Sequence, residues 1–104
     1  MNFKTYQKKA KTTAIYKRKY KVTYPLLGLI SEIGEVASVI KKNIRDDAFI
    51  DKNNIEHELG DCLWYLAMIS EDLGLDLDTI AAKNIAKLKN RMMRGVIKGS
   101  GDNR

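Results

Sequence analysis

The sequence holds one cysteine, one histidine, one proline and one tryptophan in 104 residues. The single thiol, Cys62, excludes an intramolecular disulfide. With only His57 beside it, no cysteine–histidine set for structural zinc exists. A lone thiol fits a reducing compartment, so a cytoplasmic protein is expected. The longest unbroken apolar run, Cys62 to Ile69, is far below the ~20 residues that cross a bilayer. The N-terminus has no apolar stretch of the secretory kind, so no membrane association is expected. Apolar residues make up 44% and charged residues 31%, a balance that excludes a disordered or collagen-like chain. The length allows one domain, spanning 1–104, and no second core.

Acids are also missing where bases abound. Residues 1–25 carry eight Lys/Arg and no Asp or Glu, residues 26–82 are net −8, and residues 83–104 are net +6. Seven of the eight leading cations are lysines, unlike an arginine-rich targeting leader, so the segment reads as a first helix. An acidic middle between basic ends describes either a self-neutralised helical bundle or a site where acids hold cations and bases grip a polyanion.

Hydrophobic spacing predicts helices throughout. Phe3, Tyr6, Ala10, Thr13 and Ala14 mark a first helix from Asn2 to about Tyr20. Leu26, Ile30, Ile33, Ala37, Ile40 and Ile44 mark a second from Pro25, which suits a first helical turn, to near Arg45. A polar connector, residues 46–54, leads to a third from about Asn54 to Leu73. Gly74 ends it, Asp78 and Thr79 open a fourth, and Gly95 stops that one near Arg94. The glycine-rich residues 95–104 read as a mobile tail. The expected fold is all-α, a single bundle-like domain of four to five helices. Cys62 to Ile69 is apolar on every side, and in so short a chain the expected cover is a second copy, giving a homo-oligomer.

Two acid pairs stand at i, i+3: Glu32 with Glu35, and Glu58 with Asp61. Thirteen acids scattered over this length give about 1.6 such pairs by chance, so spacing alone decides nothing. Helical projection places Gly28, Ser31, Glu32 and Glu35 in one sector, and Glu58 and Asp61 on a stripe with Tyr65 and Met68 beside the apolar face. Acids at such a margin need a positive partner. Either cations of the fourth helix pair with them, or a hard divalent ion does, for which two carboxylates from each of two helices make an all-oxygen cradle. A di-iron site wants Glu-x-x-His, and His57 lies about 100° off the Glu58 face. On the fourth helix Asn84, Lys87, Arg91 and Arg94 share one side, which reads as a solvated face or, beside a metal cradle, as a phosphate clamp.

The order Gly28-Leu29-x-x-Glu32-x-Gly34-Glu35-Val36, then Glu58-Leu59-Gly60-Asp61-x-Leu63-Trp64-Tyr65-Leu66, then Asn84-x-x-Lys87-Leu88-x-x-Arg91 and Arg94-Gly95 with the tail Gly99-Ser100-Gly101-Asp102-Asn103-Arg104, resembles the MazG-like nucleotide pyrophosphohydrolases. Ser31 stands where many members carry an additional acid. The resemblance implies an oligomeric all-α enzyme, a dimer or tetramer, that uses Mg²⁺, or Mn²⁺ in its place. It would cleave nucleoside triphosphates between the α and β phosphates to a monophosphate and pyrophosphate. It further implies Glu32, Glu35, Glu58 and Asp61 as metal ligands, Glu32 and Glu35 as the catalytic carboxylates with Glu32 polarising the water, and Tyr65, Asn84, Lys87, Arg91 and Arg94 as substrate contacts. The alternatives are a relative acting on dUTP, dCTP or phosphoribosyl-ATP, and a non-enzymatic basic module binding nucleic acid through residues 1–21 and 83–98. The second gives the four acids no role.

Overall fold

The computed structural model describes all residues, 1–104, and contains four α-helices, one 3₁₀ turn and no strand. The helices are α1 (Phe3–Lys11), α2 (Thr23–Arg45), α3 (Lys52–Asp72) and α4 (Leu77–Met93), with the 3₁₀ turn at Arg18–Tyr20. Helix α1 is half the expected length. The hydroxyls of Thr12 and Thr13 donate back to the carbonyls of Lys9 and Ala10 at 2.7 Å each, an alternative to the next helical bonds that ends the helix there. Asp51 accepts from the Asn53 and Asn54 amides and starts α3 at Lys52. Asp76, not Asp78, caps α4. Gly74 (φ +69°) and Gly95 (φ +71°) end α3 and α4 in the left-handed conformation that favours glycine.

The six-residue link 46–51 is short enough to make α2 and α3 antiparallel neighbours, and their seam is the main interface of the chain. Helices α1 and α4 close over the C-terminal half of α3. There Gln7 acts as a junction: its amide nitrogen donates to Glu71 and to the Leu75 carbonyl, and its oxygen accepts from the Leu77 amide. Ala10, Ala67, Met68 and Leu77 form the core, flanked by Tyr6, Ala14, Tyr16, Leu63 and Trp64. Most of the cover for the greasy middle of α3 therefore comes from α1, α2 and the start of α4 in the same chain. Uncovered apolar surface is most extensive on α2, where Leu27 is 62% and Ile30 61% exposed, and Leu59 and Leu66 of α3 are exposed as well. Only nine residues are buried, and the radius of gyration is 16.7 Å, against about 13 Å for a compact chain of this length.

Residues 95–104, expected to be a mobile tail, fold back along α4. The backbone carbonyl of Asp102 accepts from Arg91 at 2.8 Å, and Arg104 donates to the carbonyls of Val96, Ile97 and Gly101.

One carboxylate fixes the approach to α2. Val22 has φ +65° and ψ −55°, and the Thr23 amide donates to the Lys21 carbonyl at 2.7 Å. This is a γ-turn of the rarer, strained hand, placed on a β-branched residue. Asp72, with 2% of its side chain exposed, holds it by accepting from the Val22 amide (2.9 Å), the Tyr16 hydroxyl (2.6 Å) and the Arg18 guanidinium (2.8 Å). Burial alone would raise the Asp72 carboxyl, but these three donors overcome it and hold it below the ordinary aspartate range. The native state thus holds that proton more weakly than the unfolded chain. Its stabilisation is complete above about pH 4 and is lost as pH falls through the native value. Asp72→Asn is expected to cost about 2–3 kcal/mol at pH 7 and to flatten the acid limb of a plot of melting temperature against pH. A variant with wild-type melting at pH 7 removes Asp72 as the anchor.

Candidate metal centre

Helix α2 can approach α3 closely because residue 28 has no side chain. A β-carbon at Gly28 would run into Cε1 and Cζ of the Tyr65 ring. One turn along the seam, Glu32 faces Glu58 and Asp61, and ligand oxygens from all three lie within 4.8 Å of one another. Glu35, on the next turn of α2, is exposed and falls outside that group. Its charge still acts on Glu32. The two helices therefore bring together three of the four acids singled out in the sequence, with the fourth at the rim.

No ion pair in the chain involves any of the four. The cations pair elsewhere: Lys11 with Glu71, Arg18 with Asp72, Arg45 with Asp46, and Lys87 and Arg91 with Asp102. Neutralisation by cations of α4, the structural alternative open in the sequence, is not what the fold does. Glu32 Oε2 and Glu58 Oε2 are buried and accept no hydrogen bond. Glu32 is pushed up to about 7, first by the hydrogen bond that a proton on it would make with Glu58, then by burial and by the charges of Glu35, Glu58 and Asp61. Buried carboxylate oxygens without donors are costly and call for a cation. The donor set is all oxygen, suits a hard divalent ion, and is only slightly wider than the span that metal–oxygen bonds of about 2.1 Å require. The residues present fit such an ion.

Tyr65 borders this cluster. Its hydroxyl is pushed up by burial, then by Tyr24, Glu32 and Asp61, so it stays a neutral donor. Cys62, which sequence reasoning gave no place in the site, is buried beside the acids. Burial, then Glu32, Glu58 and Asp61, push its thiol up, which keeps it protonated and inert; its position next to Asp61 was the available signal. The α4 residues are not brought to the carboxylates within one chain. Asn84 and Lys87 are exposed, Arg91 is 4% exposed against the tail, and Arg94 bonds Asn90 and the Arg104 carbonyl. The charges acting on Glu32 include none from α4.

Comparison with known proteins agrees with this picture. The family described as MazG nucleotide pyrophosphohydrolase domain matches residues 22–95, which span α2, α3 and α4. The chain is 40% identical over 114 aligned positions to the Gene 37 protein of Mycobacterium phage L5, with 100% of each chain covered. No solved structure matches.

In the metal-free protein, Glu58→Gln removes one of the clustered like charges and is expected to leave the melting temperature equal or raise it. The same change should shrink the upshift that Mg²⁺ gives the wild type, which for one cation at 100 times its dissociation constant is about 2.7 kcal/mol. Marked metal-free destabilisation with an unchanged Mg²⁺ response would return these acids to a structural role.

Proposed function

Because the chain belongs to the MazG nucleotide pyrophosphohydrolase family, we propose that it hydrolyses nucleoside triphosphates between the α and β phosphates, with Mg²⁺ or Mn²⁺ as cofactor, releasing a monophosphate and pyrophosphate. The observation that carries this reading is the group Glu32, Glu58 and Asp61, gathered at the α2–α3 seam with two buried oxygens and no cation of the chain to meet them. A bound divalent ion would supply neutralisation of phosphate charge and a lowered barrier to deprotonating water. Glu32, Glu58 and Asp61 would hold it, with Glu35 at the rim.

The chain's own residues account for the rest. Glu32 and Glu35 are the carboxylates that this reading assigns to take the proton of the attacking water. Tyr65, held neutral, offers a hydroxyl at the edge of the cluster. Asn84, Lys87, Arg91 and Arg94 form one side of α4, and their role in this reading is to grip phosphate oxygens, Arg with its planar fork and Lys as a point charge. Arg91 donates through one terminal nitrogen to the tail and is buried beneath it, so in this reading the tail must yield before Arg91 meets a phosphate.

The uncovered face of α2 supports a homo-oligomer, dimer or tetramer, assembled through that helix. By length and composition α2 would also pass for a membrane span. Glu32 and Glu35 at its middle disfavour that use, so a cytoplasmic protein that buries α2 against another copy is the reading adopted.

Incubation of the purified protein with nucleoside triphosphates and Mg²⁺ should release pyrophosphate from at least one of them, with EDTA abolishing turnover. Orthophosphate as the primary product, in assays free of pyrophosphatase, defeats the reading. Light scattering at micromolar concentration should give a dimer or larger, and Ile30→Glu should shift the mass toward monomer. A monomeric wild type would reject assembly through α2.

A further inference from the structure

Lys87, Arg91 and Arg94 stand on successive turns of α4, and residues 102–104 engage all three. Lys87 Nζ lies 3.5 Å from the Asp102 carboxylate. Arg91 donates to the Asp102 carbonyl at 2.8 Å and lies 3.4 Å from the same carboxylate, and Arg94 donates to the Arg104 carbonyl. Asp102 is the only acid after Asp78, and Lys87 and then Arg91 hold its carboxyl below the ordinary aspartate range. The return of the chain to this place is built into residues 95–104. Gly95 reverses the direction at the end of α4, and the Val96 amide donates to the Arg91 carbonyl at 2.9 Å. Arg104 then closes the loop on itself, donating to the carbonyls of Val96 (3.1 Å), Ile97 (3.2 Å) and Gly101 (2.6 Å). Its stem passes so near Gly99 that a β-carbon there would lie 2.9 Å from Arg104 Cδ.

We infer that residues 96–104 are an autoinhibitory strap, occupying the cation row of α4 in the resting protein and displaced from it by a polyphosphate. The inference rests on the nucleotide-hydrolysing reading above, which gives that row the task of gripping phosphate. Arg91 decides the direction of the effect. It is 4% exposed, so with the strap in place a phosphate cannot reach its guanidinium. The strap's hold is nevertheless one that a polyanion can break. It offers the three cations two backbone carbonyls and one carboxylate, and that carboxylate is 87% exposed, where water screens its charge. A run of phosphates brings several negative charges to the same row, and the planar fork of Arg matches phosphate oxygens in pairs. Asp102 thus stands in for a phosphate until a better anion arrives, and Arg104 keeps it there by holding the loop closed.

Two substitutions open the strap without touching the cations of α4. Arg104→Ala removes the three bonds that close the loop, and Gly99→Val drives a side chain into the Arg104 stem. Calorimetric titration with inorganic tripolyphosphate in EDTA, on the full-length chain verified as folded by circular dichroism, compares them with the wild type. A row whose cover is open about a tenth of the time binds with apparent affinity lowered tenfold, so tightening of about tenfold is expected in both variants. Arg104→Ala is the sharper arm, because losing a positive charge would by itself weaken the binding of an anion, and it decides alone if Gly99→Val does not fold. Unchanged or weaker binding in Arg104→Ala overturns the proposal, the weaker result making Arg104 a contact for phosphate. Absence of tripolyphosphate binding by wild type and variants alike overturns it too. Tripolyphosphate carries no nucleoside and no metal is present, so the two readings fail separately. Tighter binding in the variants without pyrophosphate release from any nucleoside triphosphate keeps the strap and removes the hydrolase. Pyrophosphate release with no tightening does the reverse.

Discussion

Like-charge repulsion at the α2–α3 seam is the constraint around which this chain is arranged. Three carboxyl groups within 4.8 Å, two of them with a buried oxygen that no donor reaches, oppose the packing of the two longest helices. What offsets it lies at the ends of the seam. Glycine at 28 lets the backbone of α2 settle against the Tyr65 ring, and the donors gathered on Asp72 tie the approach to α2 to the last turn of α3. The short 46–51 link closes the other end. The repulsion itself is relieved by a proton, which is why Glu32 holds one up to about pH 7, or by a cation that competes for the same place.

Around this seam the protein buries little. Its core is four small or flexible side chains, Ala10, Ala67, Met68 and Leu77, and the apolar stripe of α2 has no partner in the chain. A chain of this size with so few buried residues gains limited hydrophobic stabilisation on its own. The assembly proposed through α2 and the cation proposed at the seam would therefore each add to the stability of a marginal fold as well as serve the chemistry.

The charge segregation of the sequence also acquires a physical explanation. The cations of α4 do not reach across to the acidic seam, and Lys87 and Arg91 are met by Asp102 from the returning tail. The lone acid of the last segment is thus spent on the side chains that most need a counter-charge, the buried Arg91 above all. Two of the eight cations of the N-terminal segment are met in the same way, Lys11 by Glu71 and Arg18 by Asp72. The seam differs from the chain's other unpaired acids in that its carboxylates are clustered and two of them bury an oxygen, and that unmet charge distinguishes it from an ordinary bundle interface.

Helical periodicity, helix-stopping glycines and the paired acids were legible in the sequence because each depends on neighbours three or four residues away. That local logic gave four helices, the stops at Gly74 and Gly95, and a group of four acids, of which the fold gathers Glu32, Glu58 and Asp61 and leaves Glu35 outside. It failed where a local hydrogen bond competes with the helix, as Thr12 and Thr13 do in ending α1, and where one aspartate outbids another as cap, as Asp76 does. The uncovered apolar surface it placed on α3 is present there at Leu59 and Leu66, but it extends further along α2. Long-range placement was not legible at all. The anchoring of a strained Val22 by Asp72, fifty residues away, and the return of Asp102 onto Arg91 depend on which helices lie side by side. Sequence alone determined which acids lie on the facing sides of α2 and α3, since periodicity fixes the face of a helix a side chain occupies. Only the tertiary structure decided which faces meet, because that is settled by packing and charge summed over the whole chain.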